Sequence, residues 1–165
     1  MRTWTATTTV DARPEAVLDL LTDPDACAEW APLPFEVDGL DAPRLRTGSR
    51  ARVSGSLAGQ RVGFDVQVHE AAPHRLALSA AGPVAFDVAY ELSERERGSE
   101  VRASISVRPG RGLSGRVLAS ATSALLSAGA LERAVGRIAR LAGRCLGVRP
   151  EQVVQPCDRW LTADG

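Results

Sequence analysis

The chain has 165 residues, a length typical of one domain that buries most of the surface exposed by its unfolded chain. Twenty basic and twenty acidic residues cancel to a formal charge of zero, which argues against a dedicated binder of nucleic acid, because such proteins carry basic residues in excess. A hydrophobic content of 44% excludes wholesale disorder, and an aromatic content of 4% argues against a surface that stacks single-stranded bases.

The cysteines and the apolar runs bear on metal binding and on location. Cys27, Cys145 and Cys157 lack the spacing of a zinc site or of a disulfide framework, so we expect three reduced thiols and no metal site. Residues 1–10 contain no apolar run of signal-peptide length, and the uncharged run 117–131 is shorter than the ~20 residues of a spanning helix. We therefore expect a cytoplasmic location and no transmembrane segment.

The first 30 residues predict one strand and two short helices. Residues 1–10 alternate threonines with a second set that includes Trp4 and Val10, which is typical of a half-buried strand. Pro14 suits the first turn of a helix because its φ angle is already helical, and Pro24 ends that helix because proline disfavours helical geometry in the residue before it. A second short helix then runs from Cys27 to Trp30.

The region from residue 35 to residue 108 alternates apolar and polar residues, with turn-forming residues between the runs. This pattern predicts an antiparallel meander with one apolar and one polar face. The six predicted strands are Phe35–Leu40, Ser49–Leu57, Arg61–Glu70, Arg75–Ala80, Val84–Leu92 and Glu100–Arg108.

After residue 112 the apolar residues recur every three or four positions, which predicts one helix of about 30 residues. Its first half is small and uncharged, whereas Arg133, Arg137, Arg140 and Arg144 recur at helical spacing in the second half. These arginines indicate either a solvated outer face or weak contact with an anionic membrane or a protein. Residues 147–165 show no clear period, so we predict a domain over 1–146 and a tail that is partly ordered or docked through Trp160.

The order of these elements is that of a known fold. Strand, two short helices, six strands and a long C-terminal helix resemble the START-like or SRPBCC superfamily, which includes Bet v 1 allergens, lipid-transfer START domains and the polyketide cyclase/dehydrase proteins. Local stretches that carry the resemblance, within residues 2–145, are Val10–Val17, Leu21–Pro24, Trp30–Pro32, Gly48–Arg50, Ala72–Leu76 and Gly98–Val101. The resemblance implies an α+β helix-grip fold, with a seven-stranded antiparallel sheet wrapped around the long helix and an apolar cavity between them.

The apolar strand face carries no pair of carboxylates, no nucleophile with a base and no metal cluster. We therefore predict binding, transport or sensing of a hydrophobic small molecule, such as a lipid, an isoprenoid or a polyketide-like compound, without catalysis and without a cofactor. The residues predicted to line the cavity are Trp30, Phe35, Val53, Leu57, Phe64, Val66, Leu78, Phe86, Val88, Tyr90, Ile105, Val107, Val117, Ala121, Thr122 and Leu125.

Two alternatives stay open at this point. An enzyme resembling the polyketide aromatase/cyclases would need a polar donor or base that reaches the substrate, and the candidates are Tyr90 with a hydroxyl of the long helix, from Thr122, Ser123 or Ser127. A buried tyrosine whose hydroxyl finds a protein partner is the more common arrangement. A protein-interaction module resembling the Hsp90-activator branch is the third possibility, and no particular motif favours it.

Overall fold

A computed structural model describes residues 1–31 and 35–146 of the chain. The predicted tail with Trp160 lies outside these residues, and so does the predicted domain limit after residue 146. In the described part, no helix is long and apolar enough to cross a membrane. The elements in chain order are β1 (Arg2–Val10), α1 (Pro14–Thr22), α2 (Pro24–Trp30), β2 (Phe35–Leu40), β3 (Arg50–Leu57), β4 (Gln60–Ala72), β5 (Arg75–Ala81), β6 (Val84–Glu94), β7 (Ser99–Pro109), α3 (Gly112–Ser127) and α4 (Ala130–Leu146).

The strands form one antiparallel sheet in the order β1-β7-β6-β5-β4-β3-β2. Strands β2 to β7 follow each other as a meander, and β1 closes the order by pairing with β7, from Arg2 opposite Val107 to Val10 opposite Ser99. Register shifts in β2 and β4 mark bulges, which bend a sheet. The predicted α+β helix-grip fold with its seven-stranded sheet is confirmed.

The two short helices lie where the sequence predicts them. Pro14 occupies the first turn of α1, and Val17 and Leu21 on its inner face are completely buried. The Asp23 side chain accepts a hydrogen bond of 3.0 Å from the backbone N–H of Asp25, which caps the start of α2. The cap fixes where α2 begins, and the side chain of Trp30 at the end of α2 is directed into the protein core.

The C-terminal helical segment consists of two helices, so the prediction of one helix of about 30 residues is wrong. Gly129 has a φ of 88°, a left-handed conformation that glycine adopts without strain and that commonly ends a helix. The backbone N–H of Ala128 donates to the carbonyls of Ala124 and Leu125, and α4 begins directly after this turn. The direction of the chain therefore changes between α3 and α4.

The break changes which residues are buried. On α4 the predicted apolar face is correct: Leu131 and Ile138 are buried against the rest of the protein, and the main contact of α4 is with β1. On α3 the predicted stripe faces outward, with Leu113 79% exposed and Val117 64% exposed. The buried residues of α3 are instead Gly115, Leu118, Ala119, Thr122 and Leu126.

Candidate functional site

A cavity of about 180 Å³ lies between the inner face of the sheet and the α1–α2 segment. One water molecule needs only ~10–15 Å³, so the space is large enough for a small organic molecule. Strands β2 to β6 form most of the wall, β7 contributes Ile105, and α4 contributes Leu131 at its N-terminal end. Among the described residues that line the cavity, none has a charged side chain.

The cavity exists because side chains on this part of the sheet have little opposite them. Val66, Leu78 and Val88 point to the same side as the buried residues of their strands, yet they are only partly buried. The wall also contains small residues, among them Gly55 and Ala80. The apolar strand face that the sequence predicts is therefore present, but in this region it faces open space rather than a helix.

Most of the residues predicted to line a cavity are brought together by the structure. Trp30 comes from α2, and the other ten come from strands β2 to β7, at the positions where the alternation of the sequence places the apolar face. These eleven residues are Trp30, Phe35, Val53, Leu57, Phe64, Val66, Leu78, Phe86, Val88, Tyr90 and Ile105.

Five predicted residues do not line this cavity. Val117 and Leu125 are exposed on α3, and Ala121 is half-buried on the same helix. Thr122 is buried, but its hydroxyl donates a hydrogen bond of 2.8 Å to the carbonyl of Leu118 in its own helix. Val107 is buried near the end of β7. The prediction placed the first half of a continuous helix over the sheet, and the break at Gly129 separates α3 from the cavity.

Several lining residues were missed in the sequence. Cys27 and Ala31 line the cavity together with Trp30, and Leu21 on α1 and Leu45 in the connection before β3 complete that side. The signal for two of them was present, because positions 27, 30 and 31 share one face of a helix at spacings of three and four. The contribution of Leu45 depends on the path of a connection, which no period in the sequence specifies.

Two aromatic residues that line the cavity are in contact with each other. The rings of Trp30 and Tyr90 meet edge to face, with centroids 5.7 Å apart and planes at 84°. The Trp30 Nε1 is buried and has no hydrogen-bond partner within residues 1–31 and 35–146. A buried donor without an acceptor is unusual in folded proteins.

The titratable groups beside these rings remain protonated at neutral pH. Burial raises the pKa of the Cys27 thiol to about 12, with a smaller contribution from the carboxylate of Asp23. Burial also raises the pKa of Tyr90 well above its ordinary value, and Cys27 adds to that effect. The Cys27 thiol donates to the carbonyl of Leu21 at 3.5 Å. Both groups are therefore neutral in an apolar environment and are not poised as bases or nucleophiles.

The helix hydroxyls considered for catalysis are not brought to Tyr90. The hydroxyl of Ser127 accepts a hydrogen bond of 3.3 Å from the Trp4 Nε1, while that of Thr122 bonds within its own helix. Neither residue lines the cavity, and Ser123 does not line it either. The structure thus places Tyr90 beside Trp30 and Cys27, and not beside a hydroxyl of α3.

None of the four arginines of α4 lines the cavity, although Arg137 contacts Ala31, which does. Arg133 donates 2.9 Å to the carbonyl of Ala128, and Arg137 donates 3.2 Å to the carbonyl of Ala31, so two of the four make hydrogen bonds to the backbone. Arg140 and Arg144 are exposed. In the described part of the chain, no group of three or more histidine, cysteine or acidic side chains is arranged to hold a metal ion.

Fold and cavity together define the class of this protein as an α+β helix-grip protein with an internal apolar cavity. Comparison with known proteins identifies the family. Residues 1–143 match the family described as "Polyketide cyclase / dehydrase and lipid transport", and the chain belongs to that family. A search of the curated proteins found no match.

Solved structures with a similar fold are numerous. A protein from Chromobacterium violaceum has a TM-score of 0.65 at 18% identity, over 87% of this chain and 99% of its own. The Zhui aromatase/cyclase from Streptomyces sp. R1128 has a TM-score of 0.65 at 14% identity, over 92% of this chain and 98% of its own. DynU16, a putative protein in the dynemicin biosynthetic locus, has a TM-score of 0.55 at 25% identity, over 84% of this chain and 46% of its own.

Proposed function

We propose that the protein binds a hydrophobic small molecule in the cavity and carries or senses it without catalysing a reaction. The observation that carries this proposal is the composition of the wall: the described lining residues are apolar almost throughout and none is charged. Burial of apolar surface is the main source of affinity in such a site, at roughly 25 cal/mol per Å². The family description includes lipid transport, which is consistent with this role.

A polyketide aromatase/cyclase is the second candidate, because the family description also includes cyclases and one structural neighbour is an aromatase/cyclase. Tyr90 lines the cavity and would be the proton donor in such a reaction. Its raised pKa makes it a poor acid at neutral pH, and none of Thr122, Ser123 and Ser127 lines the cavity to complete a relay. If Tyr90→Phe left the turnover of an identified substrate unchanged, this assignment of the proton donor would fail.

The first test of the binding proposal is to measure occupancy of the cavity directly. Native mass spectrometry of the purified protein, followed by organic extraction, will show which host molecules are bound. Titration with N-phenyl-1-naphthylamine, a neutral apolar fluorophore, will give the stoichiometry and the affinity. We expect one fluorophore bound for each chain.

A pair of variants on β6 tests whether binding occurs in this cavity. Val88 lines the cavity, whereas its neighbour Ala89 points to the opposite face of the sheet. Val88→Phe fills part of the space and should weaken binding about 5- to 150-fold, the equivalent of the ~1–3 kcal/mol that overpacking costs. Ala89→Phe adds a larger apolar side chain outside and should bind as the wild type does. Absence of fluorophore binding, or equal binding by both variants, would overturn the proposal.

A further inference from the structure

The outward side of α3 is apolar, whereas the outward side of a surface helix is normally polar. The described residues include four exposed large hydrophobic side chains, and three of them, Leu113, Val117 and Leu125, belong to α3. The fourth, Met1, precedes β1, which begins opposite the end of β7, and α3 follows β7 after two residues. The exposed large hydrophobic side chains are therefore gathered on one helix and beside the strand end from which it departs.

Helical spacing places these side chains on one surface. Because an α-helix turns by ~100° per residue, Leu113, Val117 and Ala124 lie within about 40° of each other around the helix axis. All three are exposed, and the buried residues of α3 occupy the opposite side. Leu125 borders this line on one flank and Arg116 borders it on the other. We call the surface formed by Leu113, Val117, Ala124 and Leu125 the outer α3 face.

The charged side chains on α3 and in the residues that lead into it are all arginines. Residues 101–131 contain four arginines and no acidic residue. Arg111 and Arg116 are exposed and form no ion pair within residues 1–31 and 35–146. Arg2 is also exposed, 5.2 Å from the ring of Trp4, whose indole N–H donates to the last residue of α3. An apolar surface with cations at its margin is complementary to an anionic surface with an apolar interior.

We propose that the outer α3 face binds the surface of a membrane that contains anionic lipids. Leu113 and Val117 enter the boundary between headgroups and lipid chains, while Arg111 and Arg116 contact the lipid phosphates. Helices that lie in this boundary combine an apolar face with basic residues in the same way. The described lining residues of the cavity include none from α3, so this surface is separate from the cavity and the proposal goes beyond the binding function.

Two other occupants fit the outer α3 face less well. Pairing the outer α3 faces of two copies would bring arginines of like charge together, which is unfavourable. A protein partner would have to supply a groove that matches a convex helix, whereas a deformable bilayer accepts such a helix directly. A bilayer therefore satisfies both the shape and the charge of this surface.

Cosedimentation of the full chain with sucrose-loaded vesicles tests the proposal. Vesicles of phosphatidylcholine alone are compared with vesicles of phosphatidylcholine and phosphatidylglycerol in equal amounts, over a series of lipid concentrations. We expect binding to the anionic vesicles and much weaker binding to the neutral ones. High salt should weaken binding to the anionic vesicles, because it screens the attraction between arginines and phosphates.

Four variants locate the contact. Leu113→Ser should weaken binding about tenfold, which corresponds to about half of the free energy of fully burying a leucine side chain. Arg116→Gln should weaken binding about fivefold, the usual effect of one arginine at an anionic surface. Arg140→Gln is the matched charge control, because Arg140 is exposed on α4, and it should bind as the wild type does. Val88→Phe, which alters only the cavity, should also bind vesicles as the wild type does.

Several outcomes would overturn the proposal. Absence of binding to anionic vesicles, or equal losses in Arg116→Gln and Arg140→Gln, would show that the outer α3 face does not bind a membrane. A dimer in light scattering that becomes a monomer in Leu113→Ser would assign the face to a second copy of the chain. Lower thermal stability of Leu113→Ser, without vesicle binding by the wild type, would show that another part of the chain covers Leu113.

Discussion

Along β1 the inner face of the sheet is covered by α4, whereas the inner faces of β3, β4 and β5 look onto the cavity. The strands of both regions alternate apolar and polar residues in the same way. On the first side Ile138 of α4 is completely buried, while on the second Leu78 of β5 is only partly buried although it faces inward. The comparison shows that an apolar strand face becomes packed core only where a helix supplies side chains opposite it.

A matched pair of substitutions gives the largest effect expected from this comparison. Ile138→Ala and Leu78→Ala each remove three carbon atoms. We expect Ile138→Ala to lower the free energy of unfolding by about 2–5 kcal/mol, the usual cost in a packed core. Leu78→Ala should cost less than half as much, because part of the Leu78 surface already faces empty space. Urea unfolding followed by circular dichroism measures both.

Helix propensity makes this pair a strict test. Alanine is favoured in a helix and disfavoured in a strand, which lessens the cost at Ile138 and increases it at Leu78. A larger loss at Ile138 therefore reflects packing and not propensity, whereas a larger loss at Leu78 would contradict the difference in packing between the two regions.

The second prediction concerns how the buried Cys27 thiol beside the cavity makes the stability of the protein depend on pH. The unfolded Cys27 thiol ionises near its ordinary pKa of 9.0, whereas burial raises the pKa in the folded state to about 12. The folded state thus binds the thiol proton more tightly than the unfolded state does. The protonated thiol therefore contributes to stability in full below pH 9, and this contribution is lost as the pH rises. We expect this group alone to remove on the order of 2–3 kcal/mol by pH 11.

Variants at the cavity separate this effect from general alkaline unfolding. Cys27→Ala should reduce the fall in stability between pH 9 and pH 11. The single variant Tyr90→Phe should reduce this fall as well, because burial raises the pKa of Tyr90 in the same direction. Ile138→Ala, on the opposite side of the comparison, should lower stability at every pH without changing the slope. Identical slopes in all four proteins would show that the two buried groups do not determine it.

The smallest effects are expected at two glycines, one of which separates α3 from α4. Gly129 has a φ of 88° and has room for a methyl group, so Gly129→Ala should cost about 1–2 kcal/mol through backbone strain alone. Gly136 lies within α4 with open space around its Cα, so Gly136→Ala should stabilise the protein by up to about 1 kcal/mol. Thermal unfolding of both variants measures the signs, and a stabilising Gly129→Ala would contradict the turn that directs α4 along β1.

Much of the fold could be predicted because it is encoded in short-range patterns. Alternation with a period of two fixed which face of each strand is apolar, and turn residues such as Gly59 and Gly98, both with positive φ, mark the ends of the strands. The same alternation found ten of the eleven correctly predicted residues that line the cavity, and the eleventh, Trp30, lies on α2. The alternation could not predict that Leu45 lines the cavity, because Leu45 lies in the connection between β2 and β3, whose path depends on tertiary contacts.

The prediction of a single helix after residue 112 was wrong because a continuous apolar stripe is compatible with one helix or with two. An apolar stripe with a period of 3.6 continues from Leu113 to Ala142, so the sequence favours a single helix. A glycine within a helix and a glycine that ends one are not distinguished by that period. Gly129 ends its helix, and Val117 and Leu125 consequently face outward.

The sequence by itself determined the strands, their apolar phase, the two short helices and the family resemblance, because each depends on residues close together in the chain. Only the tertiary structure decided which part of the sheet is covered by a helix and which part faces a cavity. It also placed Trp30 beside Tyr90 and left the indole N–H without an acceptor among residues 1–31 and 35–146. These features depend on contacts between distant segments, and a local pattern carries no information about the distances between them.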